Sequence, residues 1–384
     1  MSLRPSQRGI VPPFIAMDVL RAANERAAAG ADVIHLEVGQ PGNSAPAAVL
    51  EAARRALARE PIGYTDALGM APLREAIAAH YQEQYGLAVD PREVVVTTGS
   101  SAAFLLAFLA AFEPGDRVAL AIPGYPAYRN ILTALGIEPV LIAVGENAHY
   151  QPNPELLADL GALDGLIVAS PANPTGTMIG AAYLERLANY CRDRGIRLVS
   201  DEIYHGITYD TPAATARAFG HDAVVVNSFS KYSCMTGWRL GWMLVPPDLA
   251  RAVECLAQNF YISPPALSQL AALPVFGCRS ELDGHVARYR LNRDLLIGAL
   301  NTAGLTRFAP AEGAFYLYLD ISKLTRDSAE FCRRLLAETG VAVTPGFDFD
   351  PINGGGWVRL SFAGSTEDVA EAARRIEEWL AARC

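Results

Sequence analysis

The fold of this chain is decided by the stretch Ala223-Val224-Val225-Val226-Asn227-Ser228-Phe229-Ser230-Lys231. Its first five residues are predicted as a strand, and the first four form a short apolar run, which is typical of a strand buried on both faces of a parallel sheet. Ligands of open α/β sheets collect beyond the carboxyl ends of the strands, and Lys231 lies just past such an end. Low-dielectric surroundings lower the pKa of a lysine, so the amine of Lys231 becomes a usable nucleophile.

The same alternation of apolar strand, polar loop and helix extends over residues 45–280. Helical patterns such as Ala181–Arg194 separate most of the strands. The other strands are predicted at Val94–Thr98, Arg117–Ala121, Pro139–Ala143, Leu166–Ala169, Ile196–Ser200 and Arg239–Val245. Short apolar strands between helices predict an α/β fold, with a mostly parallel sheet covered by helices on both faces.

The regular alternation of strands and helices ends after residue 280, where a long charged helix is predicted over Glu281–Asn301. Further elements are predicted as helices at 16–30, Ser328–Thr339 and from Thr366, and as strands at Val33–Leu36, Ala314–Leu319, Val341–Thr344 and Trp357–Phe362. Because 384 residues exceed the size at which a single core stops growing, two domains are expected. We predict a large domain over 45–280 and a smaller α+β domain that combines 1–44 with 281–384.

Composition argues against several classes of protein. The formal net charge of −9 at pH 7 disfavours a general nucleic-acid binder, because phosphate backbones are gripped by clustered Lys and Arg. The six cysteines lie far apart, at Cys191, Cys234, Cys255, Cys278, Cys332 and Cys384. Neither a metal site nor a disulfide framework is therefore expected. No secretory signal and no apolar run long enough for a membrane span is visible, which predicts a cytoplasmic protein.

Three further loops follow predicted strands, and each allows a structural and a chemical interpretation. Ser100 and Ser101 begin an apolar helix, where serines either cap the helix or help its N-terminus to bind phosphate. Asn173 lies between two prolines, in a rigid turn that is either purely structural or holds a preorganised donor. Asp201 either caps the residues that follow it or points, partly buried, into the crevice.

Two arginines stand where an anion is the natural partner. Arg239 follows Lys231 in the sequence Thr236-Gly237-Trp238-Arg239 and is suited to a phosphate or a carboxylate. Arg359 lies inside the apolar run Trp357–Phe362, where an unpaired guanidinium is costly. Its partner is therefore either a structural acid or the carboxylate of a ligand, and the sequence leaves both open.

Together these loops resemble the fold type I enzymes that use pyridoxal-5′-phosphate (PLP), specifically the class I/II aminotransferases of the aspartate aminotransferase superfamily. The resemblance runs from Gly39 to Arg359 and depends on the order of the motifs. These are Ser-Pro-x-Asn-Pro-Thr-Gly from Ser170, Asp-Glu-x-Tyr from Asp201 and Ser-x-Ser-Lys from Ser228. It implies a large PLP-binding domain with a mostly parallel sheet of the seven-stranded type. It also implies ping-pong transfer of an amino group from an L-amino acid to a 2-oxo acid.

The resemblance implies a cofactor role for each motif residue. Lys231 would carry PLP as a Schiff base and shuttle the substrate proton, while Asp201 would pair with the pyridine nitrogen. Tyr204 and Asn173 would hydrogen-bond the phenolic oxygen of the cofactor, and Tyr125 would stack on its ring. The implied phosphate ligands are Ser100, Ser101, Ser228, Ser230 and Arg239.

The substrate side of the resemblance departs from the family pattern. Arg359 would bind the substrate α-carboxylate, with Gly39 and Asn173 beside it. The motif at Gly39 reads Gly-Gln-Pro-Gly where relatives often have Gly-Glu-Pro-Asp, and no Lys or Arg lies between Gly99 and Glu113 to hold a distal acid. We therefore expect an apolar substrate pocket instead of strict aspartate specificity. The residues proposed for this pocket are Phe14, Ile15 and Tyr261. A second anion site supplied by another arginine stays open as the alternative, and the candidates are Arg4, Arg8, Arg288 and Arg290.

Tyr64 matches the tyrosine that reaches the phosphate of the neighbouring subunit, which implies a homodimer with shared active sites. Two alternatives to an aminotransferase remain open. A PLP-dependent lyase, such as a cysteine-conjugate β-lyase, would share nearly every cofactor contact. A non-catalytic regulator would keep the fold as a ligand sensor, although every chemically essential position is filled in this sequence.

Overall fold

A computed structural model describes residues 3–383 of the chain. Twelve α-helices lie within this described part. In chain order they are α1 Ile15–Ala28, α2 Ala47–Arg59, α3 Ala71–Tyr85, α4 Gly99–Ala111, α5 Pro126–Leu135, α6 Pro154–Ala158, α7 Ala181–Asp193, α8 Pro247–Phe260, α9 Ala266–Ala272, α10 Arg279–Thr302, α11 Ser328–Thr339 and α12 Thr366–Ala381. The helices predicted at Ala181–Arg194, Glu281–Asn301 and Ser328–Thr339 are confirmed, with small shifts at their ends.

The strands of residues 3–383 also number twelve. In chain order they are β1 Ile34–His35, β2 Val94–Thr97, β3 Arg117–Ile122, β4 Glu138–Ala143, β5 Gly165–Ala169, β6 Arg197–Asp201, β7 Val224–Ser228, β8 Gly241–Leu244, β9 Tyr316–Asp320, β10 Val341–Ala342, β11 Thr344–Pro345 and β12 Trp357–Ser361.

Seven of these strands form one large sheet in the order β2-β8-β7-β6-β5-β3-β4. The five strands β7-β6-β5-β3-β4 run parallel to one another, whereas β8 is antiparallel to both β2 and β7. The prediction of a mostly parallel sheet is therefore confirmed. Because β5, β6 and β7 run in the same direction, their carboxyl ends meet at one edge of the sheet. Asp201 ends β6 and Ser228 ends β7 at this edge.

Both faces of the large sheet are buried. Val224 and Val226 of β7 belong to one core cluster, together with Phe104 and Phe108 of α4. Val225, between them, belongs to a second cluster. Successive side chains of a strand point to opposite faces, so the two clusters lie on the two sides of the sheet. The uninterrupted apolar run in the sequence is explained by this burial on both faces.

The remaining strands form two small sheets. The antiparallel order β11-β12-β9 puts Arg359 in register with Tyr318 on one side and Thr344 on the other. β1 pairs in parallel with β10, with Ile34 opposite Val341, so the N-terminal segment joins the C-terminal part of the chain. The strand predicted at Val341–Thr344 is divided, because β10 and β11 pair with different partners. This pairing supports the division into 45–280 and 1–44 plus 281–384, which stays a prediction.

Two strands begin later than predicted for the same backbone reason. The strand predicted from Arg239 begins at Gly241, and the one predicted from Ala314 begins at Tyr316. Arg239 and Ala314 have φ angles of 51° and 56°, in the left-handed region that strand residues avoid. No helix of the described residues is long and apolar enough to cross a membrane. The five cysteines within 3–383 are free thiols, and Cys384 lies outside the described residues.

Candidate active site

The predicted site residues gather around a cavity of about 460 Å³ at the carboxyl edge of the large sheet. β5 leads into Asn173, β6 ends in Asp201, and the loop after β7 carries Lys231. The other predicted residues that line this cavity are Gly39, Ser100, Ser101, Tyr125, Tyr204, Ser230, Arg239 and Arg359. Strand ends, the first turn of α4 and the C-terminal β12 thus contribute to one site.

The Lys231 amine lies half-buried in this cavity and donates a hydrogen bond to the Gly39 carbonyl oxygen, at 2.7 Å. The pKa of Lys231 is lowered to about 8, chiefly by burial and also by the positive charges of Arg359 and Arg239, while Asp201 opposes them. A lysine with such a pKa is partly neutral near neutral pH and can act as a nucleophile or base. The predicted nucleophilic character thus has a physical basis in the structure.

A count of lysines gives a signal that motif reasoning missed. The chain contains two, Lys231 and Lys323. Lys323 is exposed on the surface, and it does not line the cavity. A covalent amine linkage to a cofactor in this cavity therefore has Lys231 as its one lysine candidate within residues 3–383.

Asp201 is almost completely buried, with 3% of its surface exposed. One carboxylate oxygen accepts a hydrogen bond from the Ile203 backbone N–H at 3.1 Å, and the other accepts one from the Tyr128 hydroxyl. Burial raises the pKa of Asp201 to about 6, while these hydrogen bonds and the Lys231 charge lower it. Asp201 fits both interpretations offered by the sequence, since its side chain caps the following turn and also faces the cavity.

Tyr128 is a site residue that the sequence reasoning did not identify. It lies in α5 three positions after Tyr125, and residues at this spacing lie on the same face of a helix. The two rings meet edge to face, with their centroids 5.2 Å apart. The spacing of the two tyrosines was therefore an available signal, because a helix that begins at the cavity presents both of them to it.

The first turn of α4 fits a phosphate group. Thr98, at its N-cap, makes no side-chain cap, so the first N–H groups of the helix lack this partner. The Arg239 guanidinium lies against Gly99, where an added Cβ would be 2.6 Å from its Nη2 atom. Gly99 also has a φ of +73°, which favours glycine. Ser100, half-buried, is exposed to the cavity beside them.

Ser228 and Ser230 are placed differently from each other. Ser230 lines the active-site cavity, whereas Ser228 lines a second cavity of about 380 Å³ together with Asn227 and His205. The Ser228 hydroxyl donates to the Ser230 hydroxyl at 2.9 Å. Ser230 therefore reaches the active-site cavity directly, whereas Ser228 contacts it through Ser230.

Arg359 is buried in β12, with 2% of its surface exposed. Its Nη1 atom donates to Asn173 Oδ1 at 2.9 Å, and its Nη2 atom donates to the Glu37 carbonyl oxygen and, at 3.3 Å, to Thr344 Oγ1. Its Nε atom has no partner, and no carboxylate pairs with this guanidinium within residues 3–383. Of the two partners left open above, a ligand carboxylate therefore fits better than a structural acid.

Aromatic rings hold the remaining contacts in place. The Tyr204 and Tyr316 hydroxyls hydrogen-bond at 2.7 Å, and the Arg359 guanidinium lies 4.4 Å from the centre of the Tyr316 ring. Gly39 faces the same ring so closely that an added Cβ would be 1.8 Å from the Tyr316 hydroxyl oxygen. Tyr316, which the sequence reasoning also missed, thus fixes the positions of Tyr204, Arg359 and the Gly39 loop.

Not every predicted residue reaches the cavity of its own chain. Phe14 lines it, but Ile15 and Tyr261 do not. Tyr64 has 82% of its surface exposed and lies outside the cavity, as a residue expected to serve a neighbouring subunit would. The described residues contain no cluster of His, Cys, Asp and Glu that could hold a metal ion.

The arrangement fits a phosphorylated pyridine. Donors for a phosphate gather at the first turn of α4, where Arg239 lies against Gly99. The buried Asp201 carboxylate is a suitable acceptor for a ring N–H, whose positive charge would favour the ionised acid. Lys231 supplies an amine and Arg359 an unpaired buried donor for a carboxylate.

The chain matches the sequence model of the family described as aminotransferase class I and II over residues 31–376. The chain belongs to this family. The protein is therefore a PLP-dependent aminotransferase that moves an amino group between an amino acid and a 2-oxo acid. The resemblance seen in the motifs is confirmed.

Similar proteins agree with this assignment over nearly the whole chain. This aminotransferase is 52% identical over 385 residues to the valine–pyruvate aminotransferase of Mycobacterium tuberculosis, with 99% of each chain covered. It superposes on the crystal structure of an aminotransferase from Mycobacterium tuberculosis with a TM-score of 0.97 and 52% identity, covering 99% of this chain and 100% of that chain. For the aspartate aminotransferase from Thermus thermophilus with maleate, the TM-score is 0.92 and the identity 33%, covering 98% and 100%. These relatives give no support to the lyase alternative.

Proposed function

We propose that this aminotransferase takes an L-amino acid with an apolar side chain as its donor and a small 2-oxo acid such as pyruvate as its acceptor. One observation carries the proposal. The charged side chains that line the active-site cavity are Asp201, Lys231, Arg239 and Arg359. Each of these has a partner in PLP or in the substrate α-carboxylate. Within residues 3–383 of the same chain, no further cation lines the cavity to receive a second carboxylate.

Much of the rest of the cavity wall is apolar, and the polar residues there are uncharged. Its apolar members include Phe14, Ala16, Met17, Leu20, Val38, Phe104 and Ile131. A distal carboxylate against this surface would lose hydration without gaining a partner, whereas an aliphatic side chain gains about 25 cal/mol for each Å² that it buries. The name of the valine–pyruvate aminotransferase, 52% identical to this chain, points to the same substrate class.

Four residues would carry the chemistry. When bound, PLP supplies a ring that withdraws electrons from the substrate Cα. Lys231, whose pKa is lowered to about 8, would accept the proton from the substrate Cα and deliver it to the C4′ atom of the cofactor. Asp201, held by Tyr128, would keep its negative charge beside the ring nitrogen. Arg359 would fix the α-carboxylate and so the direction of the Cα–H bond.

The remaining predicted residues would bind and orient the cofactor. Asn173 and Tyr204 would hydrogen-bond its phenolic oxygen, and Tyr125 would lie against its ring. The phosphate ligands that we propose are Ser100, Ser101, Ser230 and Arg239, with Ser228 behind Ser230. Gly39 would leave room for the substrate beside Arg359, because a side chain there would collide with Tyr316.

The test is the absorbance spectrum of the PLP-loaded protein mixed with single amino acids and no acceptor. Valine, leucine and alanine should convert the visible band to the near-ultraviolet band of the aminated cofactor. Aspartate and glutamate should react at least about 10-fold more slowly, because their distal charge has no partner. Faster conversion by aspartate would contradict the apolar substrate class. A persistent visible band with release of pyruvate or ammonia would point instead to a lyase.

We also propose that two copies of the chain form a homodimer with shared active sites. Large apolar side chains are exposed at the end of α2, in the loop after it and at the end of α8. They are Leu57, Ile62, Tyr64, Phe260 and Ile262. The Thr65 backbone N–H donates to Ser263 Oγ at 3.2 Å, which brings the loop of Tyr64 next to that of Ile262. An apolar patch of this kind is typical of a protein interface.

Complementation tests the shared site. A Lys231→Ala protomer and a Tyr64→Ala protomer would each form homodimers with impaired sites. In a mixed dimer, one site combines an intact Lys231 with an intact Tyr64, so random pairing should restore about a quarter of the wild-type sites. No recovery after subunit exchange would contradict the contribution of Tyr64 across the interface.

We propose a cytoplasmic location, on the sequence grounds given above. The five free thiols within 3–383 agree with a reducing compartment. Cell fractionation tests this proposal, and recovery of the protein with membranes or with secreted material would contradict it.

A further inference from the structure

Helix α1 begins without a cap of its own. Phe14 occupies the N-cap position and forms no side-chain cap, because an apolar side chain has no acceptor for the first N–H groups. Unsatisfied N–H groups at the start of a helix weaken it and leave its first turn free to shift. Some other part of the molecule must therefore fix this end of α1.

Asp348 provides the missing cap from the far end of the chain. Its Oδ1 atom accepts from the Ile15 N–H at 3.4 Å, and its Oδ2 atom accepts from the Ala16 N–H at 3.1 Å. The carboxylate is 2% exposed, and it lies at the positive end of the helix dipole, where a negative charge is favoured. Burial raises the pKa of Asp348, while the two N–H groups, Arg359 and Arg129 oppose that rise.

Asp348 is itself held firmly. It ends a short turn that begins at Gly346, where an added Cβ would be 2.5 Å from the carbonyl oxygens of Gly354 and Trp357. The Asp348 carbonyl oxygen accepts from Arg129 Nη2 at 2.5 Å, which ties the turn to α5. The cap therefore has a fixed position relative to β12, the strand that carries Arg359.

The first turns of α1 form one side of the active-site cavity. Ala16, Met17 and Leu20 line it, at the spacing that places residues on one helix face. Phe14, just before them, meets the ring of Tyr125 edge to face, with centroids 5.7 Å apart. A shift of the helix start would move this surface relative to Arg359.

We infer that Asp348 is a positioning residue for substrate specificity. By capping α1, it sets the distance between the apolar face of this helix and Arg359, which binds the α-carboxylate. It thereby sets the size of the substrate side chain that fits between them. This inference rests on the proposed function, since it assumes that an apolar side chain lies against α1.

Steady-state kinetics of Asp348→Ala and Asp348→Asn with valine and with alanine provide the test. In Asp348→Ala, KM for valine should rise about 10-fold and KM for alanine by less than about 2-fold, with kcat nearly unchanged for both. The methyl group of alanine is expected to contact α1 less than the longer side chain of valine does. Asp348→Asn should stay within about 3-fold of the wild type, because its amide oxygen can still accept one N–H group.

Asp350→Ala is the matched control. Asp350 is also buried and accepts two backbone N–H groups, from Ile352 and Asn353, but it makes no hydrogen bond to α1. Its removal should leave the ratio of the two KM values unchanged. An equal rise in KM for valine and alanine, the same ratio change in Asp350→Ala, or an Asn variant as impaired as the Ala variant would overturn the role of Asp348.

The outcome for the wild type separates this inference from the proposed function. A wild-type enzyme that uses aspartate and not valine would refute the apolar substrate class. The same variants would then be compared with aspartate and alanine. An effect confined to the longer substrate would still support the role of Asp348, and an equal effect on both would overturn it.

Discussion

Two parts of the active-site cavity differ in how the chain builds them. The cofactor floor consists of Asn173, Asp201, Ser230, Lys231 and Arg239, and the substrate wall consists of Phe14, Ala16, Met17 and Leu20. The floor residues are polar, and they lie at strand ends or in the loops that follow, at one edge of the large sheet, so the parallel strands bring them together. The wall residues are apolar, and a carboxylate more than 300 positions away caps their helix. Changes in the floor should therefore affect every substrate, whereas changes in the wall should affect substrates selectively.

Lys231→Ala should have the largest effect, because the substrate proton loses its acceptor. Activity should fall at least about 10³-fold with every amino acid, and the visible band of bound PLP should shift while the fold remains intact. Borohydride reduction of the wild type followed by peptide mapping should place the cofactor on Lys231. Lys323→Ala is the control, since that lysine is exposed, and it should behave as the wild type. Label on Lys323 would contradict the assignment.

Arg359→Lys should have the next largest effect, at a cavity residue that belongs to neither the floor nor the wall. A lysine keeps the charge but loses the planar fork that matches a carboxylate, so KM should rise about 10²-fold for all amino acids tested. Arg307→Lys is the control, because Arg307 pairs with Asp320 outside the cavity. A rise confined to one class of side chain would show that Arg359 binds something other than the α-carboxylate.

Tyr128→Phe should have a smaller effect, visible mainly in the pH profile. The Tyr128 hydroxyl lowers the pKa of Asp201, which burial raises to about 6, so removing the donor raises this pKa further. The ionised acid is lost as pH falls through its pKa, so the acid limb of kcat/KM should move to higher pH by about one unit.

A control for this change is Tyr318→Phe. The Tyr318 hydroxyl is buried and makes no hydrogen bond within the described residues, and the residue lies outside the cavity. Its removal should leave the acid limb in place. An acid limb that moves to lower pH in Tyr128→Phe would contradict the role given to the hydroxyl.

Met17→Ala should have the smallest effect and should be restricted to the wall. Met17 is half exposed, so only part of its apolar surface can contact a substrate, and KM for valine should rise about 3-fold with kcat unchanged. Arg21→Ala, on the exposed side of the same helix, should change neither constant. A lower kcat with every amino acid in Met17→Ala would remove the distinction between floor and wall.

The floor was predictable because its signals are local in sequence. Asp201 and Lys231 follow apolar strands within a few residues, and parallel strands carry such loops to a common edge. The order of the loops also made the family recognisable. Ser228 shows the limit of this reasoning, because its neighbour Ser230 reaches the cavity while Ser228 faces another one.

The contacts between distant segments were not predictable in the same way. No periodicity indicates that the Tyr128 hydroxyl meets Asp201 or that Asp348 caps α1, because these pairs depend on tertiary packing. Of the apolar pocket predicted from Phe14, Ile15 and Tyr261, the structure brings Phe14 alone to the cavity. The expectation of an apolar pocket was based on the absence of Lys and Arg from one segment. A sequence shows such an absence directly, but it does not show which apolar residues line the pocket.

The pairing of β1 with β10 has a consequence for biosynthesis. The ribosome releases α1 and β1 first, but the partner of Ile34 is Val341, near the other end of the chain. The large sheet can close once Leu244 has emerged, long before that partner exists. The face of α1 that packs against Leu336 and Ala342 therefore stays uncovered until then, while the cofactor floor already takes shape. The residues that bind the cofactor would therefore be in place first, and the helix that sets substrate specificity would be fixed last.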